Sequence, residues 1–333
     1  MSPTMKAMIL REFGGPEVLC ETEIPRPGIR PGHLLVRVRA SSVNPVDAKI
    51  RRGMLAAIAP DPPTVLGCDM AGVVEEVGEG VNDFAVGDEV YGCASGVKGC
   101  GGALAEWLVA DAALVARKPQ TLSFAEAAAL PLVGITSWEG LFDRADLQTG
   151  RTALVHGGAG GVGHMAVQLA VSRGARVFAT VSTSEKAALV RRCGAEPVFY
   201  REKSVQEYVD ECTGGAGFDL VFDTVGGDNV AGSFAAAAVC GTVVSISTRT
   251  TADLSPLHAK GLSLHVVFML IPMLFNLRRA RHGEILRQIA ALAEAGKLQP
   301  IIDPQQFSFR EAAAAHAHLE SGRAVGKIVL TGF

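Results

Sequence analysis

The sequence predicts a two-part α/β protein: a turn-rich all-β module, then a doubly wound parallel sheet covered on both faces by helices. Three observations predict it. At 333 residues the chain exceeds one typical domain. Up to about residue 120 it holds only short apolar or alternating runs cut by proline and glycine. From about residue 123, continuous apolar runs alternate with amphipathic ones, the pattern of strands buried on both faces between helices.

Taken in order, "KAMILREF", "HLLVRVRASSV", "MAGVVEEVG", "DEVYG" and "LAEWLVAD" read as strands. The stretches "PRPGIRPG", "APDPPT", "GEGVNDFAVGD" and "GVKGCGG" supply turn chemistry between them, which suits a partly open barrel. In "SFAEAAALPLVGITSWEGLFDRA", Ser123 and Glu126 form a capping-box signature ahead of helical spacing, so one helix is expected. Strands "TALVHGG", "RVFATV", "PVFY", "FDLVFDTVG" and "GTVVSIST" then alternate with helices, and "SLHVVFML" is the last strand. The apolar run "VVFMLIPMLF" contains Pro272 and is too short to cross a bilayer; it reads as a buried strand leading into a turn. Two further helices, "HGEILRQIAALAEAGKLQP" and "FSFREAAAAHAHLESG", precede a strand in "AVGKIVLTG". These last pieces add nothing regular to the parallel sheet and could return to the N-terminal module.

Composition narrows the function classes. Hydrophobic residues make up 48%, charged residues 20%, and the net charge is −3 with no long run of one sign. That is globular, with no sign of a nucleic-acid partner. The start, "MSPTMKAMILREFGG", lacks the apolar stretch of a signal peptide, and no membrane span is expected. The seven cysteines are scattered, without a CxxC, which argues against a disulfide framework and for a reducing cytoplasm. His316 and His318, two apart, point to different helix faces and make a poor metal pair.

The strongest local motif is "TALVHGGAGGVGHMAVQLA", where Gly157, Gly160 and Gly163 lie between a predicted strand and a predicted helix. A dinucleotide's pyrophosphate needs backbone N–H groups at close range and the positive end of a helix, and Gly161 and Val162 would open that helix. A tight turn alone could also use such glycines, but this one sits in the first strand–helix–strand unit. An NAD site usually ends its second strand in an acid that binds the ribose hydroxyl. Here "RVFATVSTSEK" offers Ser182, Thr183 and Lys186 instead, chemistry that suits a 2′-phosphate and therefore NADPH.

The segments "SSVNPVDAKIRRG", "PTVLGCDMAGVVEEVGEGVNDFAVGDEVYG", "AAALPLVGITSWEGL", "HGGAGGVG" and "FDTVGG", in this order, carry a resemblance along nearly the whole chain. The sequence resembles the medium-chain dehydrogenase/reductase superfamily, specifically its zinc-free quinone oxidoreductase branch. The resemblance implies a GroES-like catalytic domain formed by residues 1–124 and 271–333. It implies a Rossmann NADP-binding domain over 125–270, with a cleft between the two. It further implies that Lys186 and Tyr200 hold the 2′-phosphate, and that Thr136, Gly226 and Ser245 face the cofactor. Asn44 falls where the family places an asparagine facing nicotinamide or substrate. Homodimerisation is expected through the last Rossmann strand, in the region 262–275.

Zinc-dependent relatives hold their metal at the positions of Asn44, Cys68 and a residue near Leu132, with the relay hydroxyl at Val46. Three protein ligands are needed, and this chain offers only a cysteine, so no metal is expected. Without a Lewis acid the easy reaction is hydride transfer to an electron-poor acceptor, a quinone, with Asn44 hydrogen-bonding the developing oxyanion. Lys49 is a second candidate, as cation or proton donor, against the plain reading of a solvated lysine. Reduction of α,β-unsaturated ketones or aldehydes is the nearest rival. A binding protein for NADPH with little turnover is the alternative of another class. Cys68 reads as a thiol incidental to the chemistry.

Overall fold

In the computed structural model, which describes residues 3–333, the turn-rich stretch forms eight strands. They are β1 (Thr4–Leu10), β2 (Leu19–Pro25), β3 (His33–Val43), β4 (Thr64–Val65), β5 (Asp69–Val77), β6 (Glu89–Cys93), β7 (Trp107–Asp111) and β8 (Val115–Arg117). Helix α1 (Pro45–Arg51) follows β3, and the short helix α2 (Phe124–Ala128) and α3 (Pro131–Trp138) follow β8. The alternating region gives β9 (Thr152–His156), α4 (Gly161–Ser172), β10 (Arg176–Val181), α5 (Ser184–Arg192) and β11 (Glu196–Phe199). It continues with α6 (Val205–Thr213), β12 (Phe218–Asp223), α7 (Asn229–Ala236), β13 (Ala237–Ser245), α8 (Ser255–Lys260) and β14 (Ser263–Val266). The chain closes with α9 (Ile271–Phe275), α10 (Ala280–Glu294), α11 (Ala312–Glu320) and β15 (Ile328–Thr331).

These elements sort into two compact units, Met1–Leu132 with Leu270–Phe333, and Val133–Met269. The first is antiparallel. One sheet runs β15-β3-β5-β6-β8 with β7 also on β3, and a second runs β2-β1-β4. The register of β3 on β5 shifts twice, near Leu35 and near Val38, and such bulges bend a strand and redirect its side chains. The final strand β15 returns to β3, with Ile328 opposite Val43 and Val329 opposite Ser42.

The second unit is one parallel sheet in the order β11-β10-β9-β12-β13-β14. Strands β9, β10 and β12 are buried almost throughout, as their apolar sequences require, while the edge strands β11 and β14 are only partly covered. Phe178 and Phe218 meet edge-on at 5.5 Å within a cluster that includes Tyr208 and Phe234. Helix starts follow local chemistry: Thr183 caps α5 by accepting from the Lys186 N–H, and Ser204 with Glu207 forms a capping box on α6.

Two expectations fail. The single helix from Ser123 is two, because Pro131 has no N–H for the preceding turn and starts α3 afresh. The run "VVFMLIPMLF" is not a buried strand. Strand β14 stops at Val266, Pro272 sits in the first turn of α9, and Phe275 is 66% exposed. Among the described residues, no helix is long and apolar enough to cross a membrane.

Candidate functional site

The parallel sheet reverses its order of growth between β9 and β12, and loops at such a switch point form a ligand crevice. After His156 the chain turns at Gly157, whose φ of 70° few side chains tolerate. The turn is tied to the neighbouring strand: the Gly157 N–H donates to Thr180 Oγ1 at 2.9 Å and the Gly158 N–H to the Thr180 carbonyl at 3.1 Å. A Cβ on Gly163 would lie 2.1 Å from the Gly157 carbonyl oxygen, so that glycine lets α4 seat on the turn. Gly160 differs. An added Cβ there would meet only the Gly157 oxygen, at 3.3 Å, so the fold itself makes little demand for glycine. It caps α4 with no side-chain bond, and the first-turn amides beyond it lack intrahelical acceptors. Bare amides at a helix start with open space above them fit a pyrophosphate.

Val181 and Phe199 are register partners, so Ser182 and Tyr200, the next residues of β10 and β11, lie side by side at the same sheet end. Lys186 is half-buried in the first turn of α5, while Glu185 is exposed. Tyr200 is 48% exposed, and the Arg201 guanidinium lies 5.8 Å from its ring centre. Arg201 is a cation that sequence reasoning overlooked, although it stands next to Tyr200 in "VFYREK".

The loop after β12 is built around Asp223. Its carboxylate accepts from the Val225 and Gly226 N–H groups, both at 2.9 Å, from the Asn229 amide at 3.0 Å and from Ser233 at 3.2 Å. Ser245 ends β13 in register with Asp223 and is buried. Thr136 is buried on α3. His156, also buried and in register with Asp223, is held by desolvation to about 4, so it stays neutral.

In the antiparallel unit, Asn44 caps α1 and is wholly buried in a polar cluster. The register Val43 to Ile328 brings Lys327 opposite Asn44. The Lys327 ammonium donates to the Asn44 carboxamide oxygen and, at 3.2 Å, to the Val43 carbonyl. Asn44 Nδ2 donates to Asp69 Oδ2 at 2.9 Å, and Ser42 Oγ to the same oxygen at 2.7 Å. Asp69 Oδ1 accepts from the Leu132 N–H at 2.8 Å, and the Lys327–Asp69 pair stands at 3.5 Å with both side chains buried. A lysine can only donate and a carboxylate only accept, so the two fix which way the Asn44 amide faces. One Asn44 N–H is left without a partner in this set.

Asp47 is buried beside this cluster and accepts from the Asn44 N–H at 2.8 Å. Desolvation raises its carboxyl to about 6. Cys68 is buried next to Cys93 and Asp47. A hydrogen bond to the Cys93 sulfur, burial and the Asp47 charge all hold its thiol well above the ordinary range, which keeps it from acting as a nucleophile. Lys49 lies apart, exposed on α1. Among the described residues, no group of three histidine, cysteine or acidic side chains could hold a metal.

Comparison with known proteins is consistent along the chain. A model of the alcohol dehydrogenase GroES-like domain matches residues 30–120, and one of the zinc-binding dehydrogenases matches 193–330. The chain is 37% identical, over 98% of its length and 79% of the relative's, to a 2-methylene-furan-3-one reductase of Solanum lycopersicum. With the same coverage it is 35% identical to a chloroplastic NADPH-dependent alkenal/one oxidoreductase of Arabidopsis thaliana. It is 30% identical to the quinone oxidoreductase of Homo sapiens, covering 98% of this chain and 97% of that one. Among solved structures, an alcohol dehydrogenase superfamily protein of Novosphingobium aromaticivorans superposes with a TM-score of 0.95 at 43% identity, covering 98% of this chain and 99% of that one.

Proposed function

Because this chain belongs to the quinone-oxidoreductase-like branch of the medium-chain dehydrogenase/reductase superfamily, we propose that it is an NADPH-dependent reductase of quinones that works without catalytic zinc. The observation that carries the reading is the uncapped start of α4 over a glycine the fold does not itself require. The first-turn amides of Gly161, Val162 and Gly163 hold the pyrophosphate. Ser182, Thr183, Lys186 and Tyr200, joined by Arg201, surround the 2′-phosphate, where no acid ends β10 to repel it. Thr136, Gly226 and Ser245 line the remainder of the cofactor's path. When bound, NADPH supplies the hydride.

Asn44 hydrogen-bonds the acceptor oxygen through its second amide N–H, with Lys327 and Asp69 fixing the amide's direction. A preset donor of this kind costs no reorganisation when charge develops. Lys49, exposed on α1 and apart from this cluster, is left out of the reaction. The donor set at the zinc position of relatives is an asparagine, a thiol held protonated and an alkyl side chain, which supports a metal-free reaction.

A second reading, reduction of α,β-unsaturated ketones or aldehydes, uses the same hydride chemistry and is favoured by the names of two relatives. For assembly we propose a homodimer through β14. This four-residue strand is the sheet edge, with Val266 47% exposed and Phe268, two residues past the strand, 41% exposed, and open apolar edges invite pairing. A reducing cytoplasm suits seven thiols with no disulfide among them. Steady-state NADPH oxidation with a benzoquinone, a naphthoquinone and an enone tests the assignment. Turnover fastest with quinones is expected; tight NADPH binding without turnover of any acceptor would overturn it in favour of a binding protein.

A further inference from the structure

The antiparallel unit contains a cavity of about 820 Å³ that the proposed reaction does not use, within the size range of small-molecule sites. One wall is a face of the three-stranded sheet. Residues opposite each other in antiparallel strands share a face, and the pairs Met5–Ile24, Ala7–Thr22 and Ile9–Val65 put these side chains together. The other wall is the glycine-rich loop from Gly99 to Gly102 and the strand residues Trp107, Leu108 and Val109. The surroundings are therefore largely apolar.

Three features are unlike an ordinary surface hollow. Arg11 and Arg30 both line it, and neither has an ion-pair partner among the described residues. No aspartate or glutamate belongs to the lining. Thr22, also in the lining, buries its hydroxyl oxygen with no hydrogen-bond partner, and such a group normally finds one. At the half-buried Cys100 thiol, burial raises the pKa while the charges of Arg279 and Arg30 oppose it, so Arg30 is felt inside the loop wall.

We propose that this cavity binds an amphipathic organic anion, an alkyl or aryl carboxylate whose apolar body lies against Ile9, Ile24, Val65 and Leu108 while its charged end meets Arg11 and Arg30. An apolar floor rewards a hydrocarbon body, two unpaired guanidiniums reward a carboxylate, and the Thr22 hydroxyl can donate to it. No residue of the glycine turn of α4 belongs to its lining, so NADPH binding is expected to be unchanged by occupancy.

Decanoate and its neutral twin decanol are the probes, titrated into the full chain while Trp107 fluorescence is followed. Saturable binding of decanoate, at least tenfold tighter than decanol and weakened by salt, is expected. Arg11→Gln with Arg30→Gln should weaken decanoate at least tenfold and leave decanol and NADPH unaffected; both arginines are exposed, so the fold is retained. Equal binding of decanol and decanoate by the unaltered protein would overturn the proposal. So would the absence of saturable binding, or unchanged decanoate affinity in the double variant.

Discussion

Replacing Gly160 by valine separates a glycine kept for folding from one kept for a ligand. Gly160 has φ −79° and ψ 175°, a conformation open to any residue, and a Cβ there meets one atom at 3.3 Å. The stability cost is that of an apolar helix cap, about 1 kcal/mol, or a few degrees of melting temperature. The ligand's loss is larger. Charge-assisted hydrogen bonds contribute about 1.5–3 kcal/mol each, so displacing a phosphate from two first-turn amides costs roughly 3–6 kcal/mol, at least ~100-fold in affinity. Gly163→Ala is the contrast, because its Cβ would stand 2.1 Å from the Gly157 oxygen and 3.0 Å from the Gly158 Cα. That variant should lose melting temperature and affinity together. Fluorescence titration with NADPH, run beside thermal melts, measures both quantities. Gly160→Val binding NADPH within threefold of the unaltered protein would refute the assignment of α4 as the pyrophosphate site.

Lys186→Glu should weaken NADPH by roughly 10- to 100-fold, the worth of one charge-assisted bond to phosphate, and leave NADH nearly unchanged; equal losses would remove Lys186 from the 2′-phosphate site. The Asp47 carboxyl, raised from 3.8 to about 6 in the fold, is held more tightly by its proton when folded than when unfolded. Its contribution is therefore full below pH 4 and lost as pH rises through 6, on the order of 3 kcal/mol. Asp47→Asn should gain stability relative to the unaltered protein over that window, read from paired denaturant melts at pH 4, 5, 6 and 7. Lys327→Met leaves Asp69 buried without its cation and should cost about 3–5 kcal/mol. A loss under 1 kcal/mol in urea melts would show that Lys327 matters little to the cluster. Cys68→Ser should keep most NADPH-oxidising activity, since the thiol is held protonated; an inactive but folded variant would restore it to the mechanism.

The nucleotide half of the site was legible because its chemistry is local. Three glycines, a strand before them and a helix after them lie within one short stretch, and the absence of an acid after "RVFATV" is visible at a glance. The Asn44 cluster was not, because its members are far apart in the chain: Asp69 lies 25 residues and Lys327 283 residues from Asn44. Within "AVGKIVLTG" nothing local marks the lysine as buried, and the register of β15 on β3 is what brings it opposite Asn44. The helix break at Pro131 was available from the proline itself, yet the alanine-rich run around it outweighed one residue. The stretch from Val266 misled for a different reason: Val267, Met269, Leu270 and Met273 are buried while Val266, Phe268 and Phe275 are exposed, and an apolar run does not declare which of its residues its own chain covers.

The return of β15 to β3 also orders events during synthesis. Residues 133–269 are contiguous, so their parallel sheet is complete in the nascent chain before Lys327 has left the ribosome. Until that lysine emerges, Asn44 and Asp69 lack their cation, and the end of β3 from Ala40 to Val43 lacks its partner on one side. A premature stop codon ahead of Lys327 would thus spare residues 133–269 and leave a buried carboxylate uncompensated 258 residues upstream. Such a product would still hold dinucleotide while being marked for proteolysis.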